Sequence, residues 1–387
     1  MKKDHLLLIA ALILAGLNMR PLMTSVSPLL DQLRENIGLS SLAASLLPAI
    51  PMMMMGAIAL VSAPLLQRIR LRGLLCGGLA LLVLALTSRF FISQGQWLVW
   101  STVPGGIGIG IVQMAMPGLI RQRFAQRSAM ITGLWAAALM GGGGLGAALT
   151  PWISLHLGWH GALSSWSAPA LLAVMLWWWI PAASPPPQTS TAMPSVWRNT
   201  RAWMLALSFG LVNGGYAICV AWLPDFYHQL GWSAQAGGSL LGVMIACQVA
   251  GALVFPMLVK GADRRPLLVL TLVLQLGGML GLLVAPLYHP WLWAGIAGIG
   301  LGGAFPLSLV LALDHLAHPQ AGARLVAFMQ GAGFIIAGSM PFLAGQLHNL
   351  TGHFSSIWLL QGSATVILIG LNLRFHPRSY QQAFPQH

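Results

Sequence analysis

Apolar runs of ~20 residues, the length an α-helix needs to cross a hydrocarbon core, recur along the whole of this 387-residue chain. No water reaches backbone groups at that depth, so each run has to satisfy its own N–H and C=O groups as a helix. Twelve runs are expected. The first six are Leu6 to Leu30, Ser40 to Leu66, Gly73 to Ile92, Trp97 to Ile120, Ala129 to Leu155 and Gly161 to Ile180. The next six are Ala202 to Tyr227, Ala234 to Val259, Pro266 to Tyr288, Trp291 to Leu313, Val326 to Leu347 and Ser355 to Leu373. With 57% hydrophobic and only 6% charged residues, the chain cannot clothe a water-facing surface. Lipid must replace water around most of it.

The net charge of +13 invites a nucleic-acid reading, which the placement of the charges rejects. Taking the N-terminus as inside, the inside segments hold Lys2, Lys3, Arg68, Arg70, Arg72, Arg121, Arg123, Arg127, Arg198, Arg201, Lys260, Arg264, Arg265, Arg324, Arg374 and Arg378. Only Arg34 and Arg89 fall in outside turns. This bias predicts that both termini are cytoplasmic. The charged start followed by Leu6 to Ala15 also has the look of a secretory signal, but it lacks a convincing small-residue cleavage site and carries Arg20, so retention as the first helix is expected. Cys76, Cys219 and Cys247 lie in separate spans without paired or metal-ligand spacing and read as buried free thiols.

The two halves of the chain resemble each other. Asn18 aligns with Asn213, the Gly106-Ile-Gly-Ile-Gly run with Gly298-Ile-Gly-Leu-Gly, and Pro151 with Pro341, at offsets near half the chain length. Basic clusters recur after spans two and eight, at Arg68, Arg70, Arg72 and at Lys260, Arg264, Arg265. Parallel repeats of this kind place a binding site between halves near the midplane. The expected organisation is an all-α membrane protein of two pseudo-symmetric six-helix bundles, 1–180 and 200–376. A Pro/Ser/Thr-rich connector at 181–199 joins them, and 377–387 forms a tail.

These features resemble the major facilitator superfamily over nearly the whole chain. Within it, Gly16-Leu-Asn-Met-Arg-Pro-Leu-Met-Thr-Ser-Val, Leu139-Met-Gly-Gly-Gly-Gly-Leu-Gly-Ala-Ala, Asn213-Gly-Gly-Tyr, Gly302-Gly-Ala-Phe-Pro and Leu325-Val-Ala-Phe-Met-Gln-Gly are similar to the cyanate permease group and the related 2-nitroimidazole exporters. The superfamily's acidic-basic loop signature is kept in part at Asp263-Arg264-Arg265, which the resemblance makes gate residues. At Gln67-Arg68-Ile69-Arg70 the acid is missing, which puts the N-terminal gate latch in doubt.

Arg20 is the one charge set at the middle of a span. An arginine there costs roughly 2.5 to 3.5 kcal/mol on insertion scales and ordinarily faces a pathway or a partner. The six acids, Asp4, Asp31, Glu35, Asp225, Asp263 and Asp314, all fall in loops or at helix ends. A guanidinium without an intramembrane carboxylate suits a small anion, which its fork of donors can grip. The competing reading makes Arg20 a cap for backbone carbonyls at a break beside Pro21. The resemblance implies that helices one, four, seven and ten line the cavity, where Asn18, Thr24, Gln113, Asn213, Tyr216 and Phe305 stand as candidate substrate contacts. Lone amides in spanning helices serve equally often as glue between helices. Gln248, Gln275 and Gln330 are weaker candidates, and Trp135 reads as packing.

The glycine runs lie inside spans without a preceding strand, so a nucleotide reading fails. Gly142 and Gly144 instead resemble the family's helix-packing motif between halves, with Pro151 and Pro341 as hinges or kinks. Met52 to Met55 form a soft apolar patch. Trp177 to Trp179, Trp291 and Trp293 read as interfacial anchors. His315 and His318 flank the inside end of the tenth span beside Asp314, where a solvated helix end is expected in preference to a proton or gating role. No zinc spacing, activated nucleophile or ATP site is seen, so neither enzymatic activity nor a cofactor is expected.

The expected protein is a monomeric inner-membrane secondary transporter. It moves a small anion such as cyanate by rocking its halves around Arg20, with lipid and a small molecule as partners and no nucleic acid. The alternatives are export of a neutral nitroimidazole-like compound through the same cavity, and a membrane sensor that binds ligand without net transport.

Overall fold

The structure is a computed structural model that describes residues 3–68, 71–124, 128–180, 196–259, 262–316 and 319–384. These residues are overwhelmingly helical, with α1 (Lys3–Asn18), α2 (Pro21–Thr24), α3 (Leu30–Ile37), α4 (Ser41–Arg68), α5 (Leu71–Ser88), α6 (Gly95–Arg123), α7 (Ser128–Ser165) and α8 (Ser167–Trp179) in the first half. The second half holds α9 (Thr200–Gln229), α10 (Ala234–Met257), α11 (Arg265–Val284), α12 (Pro290–Asp314), α13 (Pro319–Thr351), α14 (Ser355–Leu373) and the short α15 (Tyr380–Ala383).

Among the described residues, 11 stretches are long and apolar enough to span a bilayer. One of them, Gly133–Trp179, is 47 residues long and holds two of the expected spans. The chain turns inside it at Gly158, whose φ of 66° interrupts the helical path. That left-handed conformation is open to glycine and costly for residues with a Cβ. Twelve crossings therefore agree with the expected pattern. The first span is not one rod: it stops at Asn18, restarts at Pro21, passes a 3-10 turn at Ser27–Leu29 and resumes as α3. Pro21 has no N–H for the carbonyl four residues back and sits at the first position of α2, where proline is tolerated.

The chain divides into two compact units. Unit 1 contains residues 1–187 together with 219–242, and unit 2 contains residues 188–218 and 243–387. Within unit 1, Val26, Leu29, Leu33, Leu47, Leu98, Trp159 and Leu163 form an apolar core at one end of the bundle. In unit 2, Val212, Leu272, Ala304 and Leu368 pack together from four helices. Leu84, Trp100, Leu155, Leu172 and Ile367 are largely exposed, which is the arrangement lipid-facing positions require. Hydroxyls inside the helices bond back to carbonyls three or four residues earlier, as Thr102 does to Val99, Thr150 to Gly146, Thr271 to Leu268 and Ser308 to Ala304. Each polar group thus carries its own partner into an environment that supplies none.

Three expectations need correction. Arg89 does not lie in a solvated turn: it is 0% exposed, and its Nη1 donates to the Leu22 carbonyl at 3.0 Å. Trp177 is buried and donates from Nε1 to the Ala11 carbonyl, so Trp178 and Trp179 alone of that triplet are exposed. His315 is buried against the tail and is not a solvated helix end. Cys76 and Cys219 are buried free thiols, and Cys247 is half-buried. His318 lies outside the described residues, as do the side chains at Gln67-Arg68-Ile69-Arg70.

Candidate functional site

In unit 1 the broken first span presents Arg20 as the residue that caps α2, only 4% exposed. Its carbonyl accepts from the Met23 and Thr24 amides and from the Thr24 hydroxyl at 3.2 Å. The break exists because Pro21 cannot continue the helical bonding of α1, and it sets a guanidinium where an unbroken helix would continue apolar. Asn18 donates its side-chain amide to the Leu14 carbonyl at 2.7 Å and to the Pro169 carbonyl at 3.1 Å. It therefore ties α1 to α8, which is the glue role. Gln113 on α6 is buried, and its Oε1 has no hydrogen-bond partner among the described residues. Such an acceptor is costly to bury unless a donor visits it.

Arg89 is the residue that sequence reasoning missed. Besides Leu22, its Nε reaches the Ser101 hydroxyl at 3.4 Å, so it holds α2, the segment that follows Arg20, from the end of α5. The only sequence signal was its distance from the expected end of span three.

In unit 2, Asn213 donates to the Phe209 carbonyl at 2.8 Å. Its repeat mate Asn18 makes the same bond to the residue four earlier. Tyr216 and Phe305 are buried in this unit, Phe305 with its ring 5.6 Å from that of Phe209. A polar cluster faces Gly215: Gln275 donates to Thr365, and a Cβ at Gly215 would meet the amide nitrogens of Gln361 and Gln275. Gln361 was not singled out from sequence, although a glutamine within a span carries that signal.

The candidate site residues are thus distributed between the units, with Arg20, Asn18, Thr24 and Gln113 in unit 1 and Asn213, Tyr216 and Phe305 in unit 2. Gly142 lies against α1, where a Cβ would fall on the Leu17 carbonyl. Gly144 lies two residues further along α7 and faces Gly242, whose Cβ would stand 3.5 Å from the Gly144 carbonyl. Pro151 lies inside α7 and Pro341 inside α13.

Charged groups cluster at helix ends. In unit 1 Arg34 grips Asp225 with two parallel bonds of 2.8 and 2.9 Å, while Asp31 contacts Arg34 at 3.3 Å and His228 at 3.1 Å. In unit 2 Asp263 pairs with Arg265 at 2.7 Å, and Arg264 with Asp314 at 2.8 Å. The hydrogen bonds from Arg265 hold the Asp263 carboxyl below its ordinary pKa. Burial pushes the His315 imidazole down to about 4 and the Tyr380 phenol, stacked on it at 3.9 Å, up to about 12.

Long apolar helices, lipid-facing hydrophobics and buried polar side chains inside the spans define a multi-pass helical membrane protein. Residues 6–338 match the family model of the Major Facilitator Superfamily, and the chain belongs to that family. It is therefore a transporter of small molecules and not an enzyme. It is 47% identical over 378 residues to the cyanate transport protein CynX of Escherichia coli K12, covering 97% of this chain and 98% of that one. It is 27% identical over 366 residues to a 2-nitroimidazole transporter of the same organism, covering 91% of each. Among solved structures, a D-xylose-proton symporter superposes with a TM-score of 0.74 at 17% identity, covering 96% of this chain and 98% of that one, which shows the shared fold.

Proposed function

We propose that this transporter carries cyanate or a comparably small monovalent anion across the bacterial inner membrane, with both termini cytoplasmic and the single chain as the working unit. The observation that carries this reading is the deeply buried Arg20 at the break between α1 and α2, in a chain that shares nearly half its residues with a cyanate transport protein. A guanidinium in a low-dielectric site attracts a small anion strongly and offers it several donors at fixed angles. Gln113 is a further candidate substrate contact in the same unit, and Asn213, Tyr216 and Phe305 are the candidate substrate contacts of the other unit. Asn18 and Thr24 serve the site by holding the helix break. Asp263, Arg264 and Arg265 act at the gate of unit 2, and Gly142, Gly144, Pro151 and Pro341 give the helices that move their close packing and their bends.

The test is uptake of radiolabelled cyanate into liposomes that contain the purified protein. Wild type is expected to accumulate label above empty vesicles, and Arg20→Gln, reconstituted at equal density, to lose that uptake. Undiminished uptake by Arg20→Gln overturns the role of Arg20. Uptake of 2-nitroimidazole that excess cyanate leaves unslowed, with no cyanate uptake, overturns the anion reading.

A further inference from the structure

A second basic site lies in unit 2, far in sequence from Arg20. A cavity of about 500 Å³ opens at the start of α9, and its lining includes Arg198, Arg201 and Arg374 beside Asn199, Met204 and Ala383. Its shape is built in. The Asn199 side chain accepts from the Arg201 and Ala202 amides at 2.8 and 3.1 Å, which caps α9, and donates to the Ala383 carbonyl at 2.7 Å. Arg201 donates to the Arg374 carbonyl and to the Ser379 hydroxyl, with its guanidinium 5.3 Å from the Phe375 ring centre. The segment after α14 is thereby strapped to the start of α9, and one wall of the cavity is formed by the tail.

The charge balance of this cavity is one-sided. The acids at this end of unit 2 are Asp263 and Asp314, and each is engaged, by Arg265 and Arg264 respectively. None of the three cavity arginines forms an ion pair with a carboxylate among the described residues. Arg201 is fixed by its bonds to the tail while Arg198 and Arg374 line the same opening, and an anion there is attracted by all three. Arginine suits phosphate oxygens in particular, because its planar fork meets two of them at once.

The surroundings favour a lipid as the source of that phosphate. Trp197 and Trp203 adjoin the cavity residues in sequence, expose 54% and 43% of their surfaces, and pack edge-to-face on Phe328. Trp203 Nε1 donates to the Trp197 carbonyl at 2.9 Å, so the platform is fixed. Half-exposed tryptophans belong at the headgroup level of a bilayer, where one edge meets acyl chain and the other meets water. Basic pockets between spanning helices bind anionic headgroups in this way. We infer that Arg198, Arg201 and Arg374 form a binding site for the phosphate group of an anionic phospholipid, with Trp197 and Trp203 bordering its acyl chains.

The experiment uses the full-length protein, delipidated in neutral detergent, and counts bound lipid by native mass spectrometry across a titration. Phosphatidylglycerol is expected to bind and phosphatidylcholine to bind far more weakly. Affinity for phosphatidylglycerol should fall about five-fold for Arg198→Gln or Arg374→Gln alone and on the order of thirty-fold for both together. Arg201 is left intact because it holds the tail. Met204→Glu keeps all three arginines and sets a carboxylate among them; it should give a comparable loss, and it serves if the double variant does not fold. Equal affinity for the two lipids overturns the inference, as does unchanged phosphatidylglycerol binding in every variant. Millimolar inorganic phosphate forms the last arm. If it leaves the lipid in place, the phospholipid assignment stands; if it binds alone and displaces the lipid, the cavity belongs to soluble phosphate and the lipid assignment falls.

Discussion

Replacing Arg34 by Gln strands a carboxylate whose side chain is 1% exposed, and the cost can be worked from the geometry. Two parallel bonds of 2.8 and 2.9 Å join Arg34 to Asp225, from the short α3 to the far end of α9, within unit 1. Unit charges about 4 Å apart at an effective dielectric near 20 attract by about 4 kcal/mol. Arg34 is 27% exposed, so solvent screening brings the expected coupling to roughly 2–4 kcal/mol. A double-mutant cycle of Arg34→Gln, Asp225→Asn and both together measures it directly, by equilibrium unfolding in mixed SDS micelles. Arg34→Gln should destabilise more than Asp225→Asn, because the first leaves a buried carboxylate while the second leaves Arg34 with Asp31 and solvent. A coupling energy below about 1 kcal/mol would refute the reasoning and reduce this contact to a surface ion pair of the usual small worth.

Three further outcomes are expected. Gly142→Ala should destabilise unit 1 by at least ~2 kcal/mol in the same unfolding assay, because the new methyl meets backbone rather than a mobile side chain, whereas Gly141→Ala, whose nearest neighbour is a side-chain atom at 4.0 Å, should be neutral or mildly stabilising. Arg89→Gln removes the donor that reaches the Leu22 carbonyl and should lower the melting temperature by several degrees, with cyanate uptake falling in parallel as the Arg20 segment loses its brace. His315, held near a pKa of about 4 against 6.5 when unfolded, binds fewer protons folded than unfolded between those values. Its contribution is therefore complete above pH 6.5 and lost as pH falls towards 4. Hydrogen exchange at residues 375–384, corrected for the intrinsic pH dependence, should show the tail loosening on acidification in wild type and a flatter profile in His315→Phe.

The helical layout was legible because the physics of the bilayer leaves few choices: a run long enough to cross must be a helix, and a glycine such as Gly158 between two runs marks where the chain turns. The bonds of Asn18 and Asn213 to carbonyls four residues earlier match each other, but Asn36 and Asn372 make the same bond, so it is a habit of helical asparagine rather than a mark of the repeat. The break at Arg20 was harder to see, since Pro21 in an apolar run signals a kink without saying how far the helix stops and restarts. Arg89 was misread for a different reason. Its partner is a backbone carbonyl 67 positions away, and a main-chain acceptor leaves no trace in composition. His315 was misplaced because the aromatic residues that pack on it, Phe375, Tyr380 and Phe384, come from the segment after the last span, far along the chain, where no local pattern links them to it. Of the candidate contacts, Asn18 spends its amide on two carbonyls, which no spacing rule distinguishes from an amide pointed at a ligand.

Leu17 and Gly142 act together in a way that neither residue suggests alone. Proline at position 21 leaves the Leu17 oxygen without its helical donor, and this oxygen is the atom over which Gly142 withholds a methyl. The first helix thus touches its neighbour through an acceptor that owes no bond to its own turn. The segment carrying Arg20 is thereby seated directly on the backbone of α7, at a spot where only glycine leaves room for it.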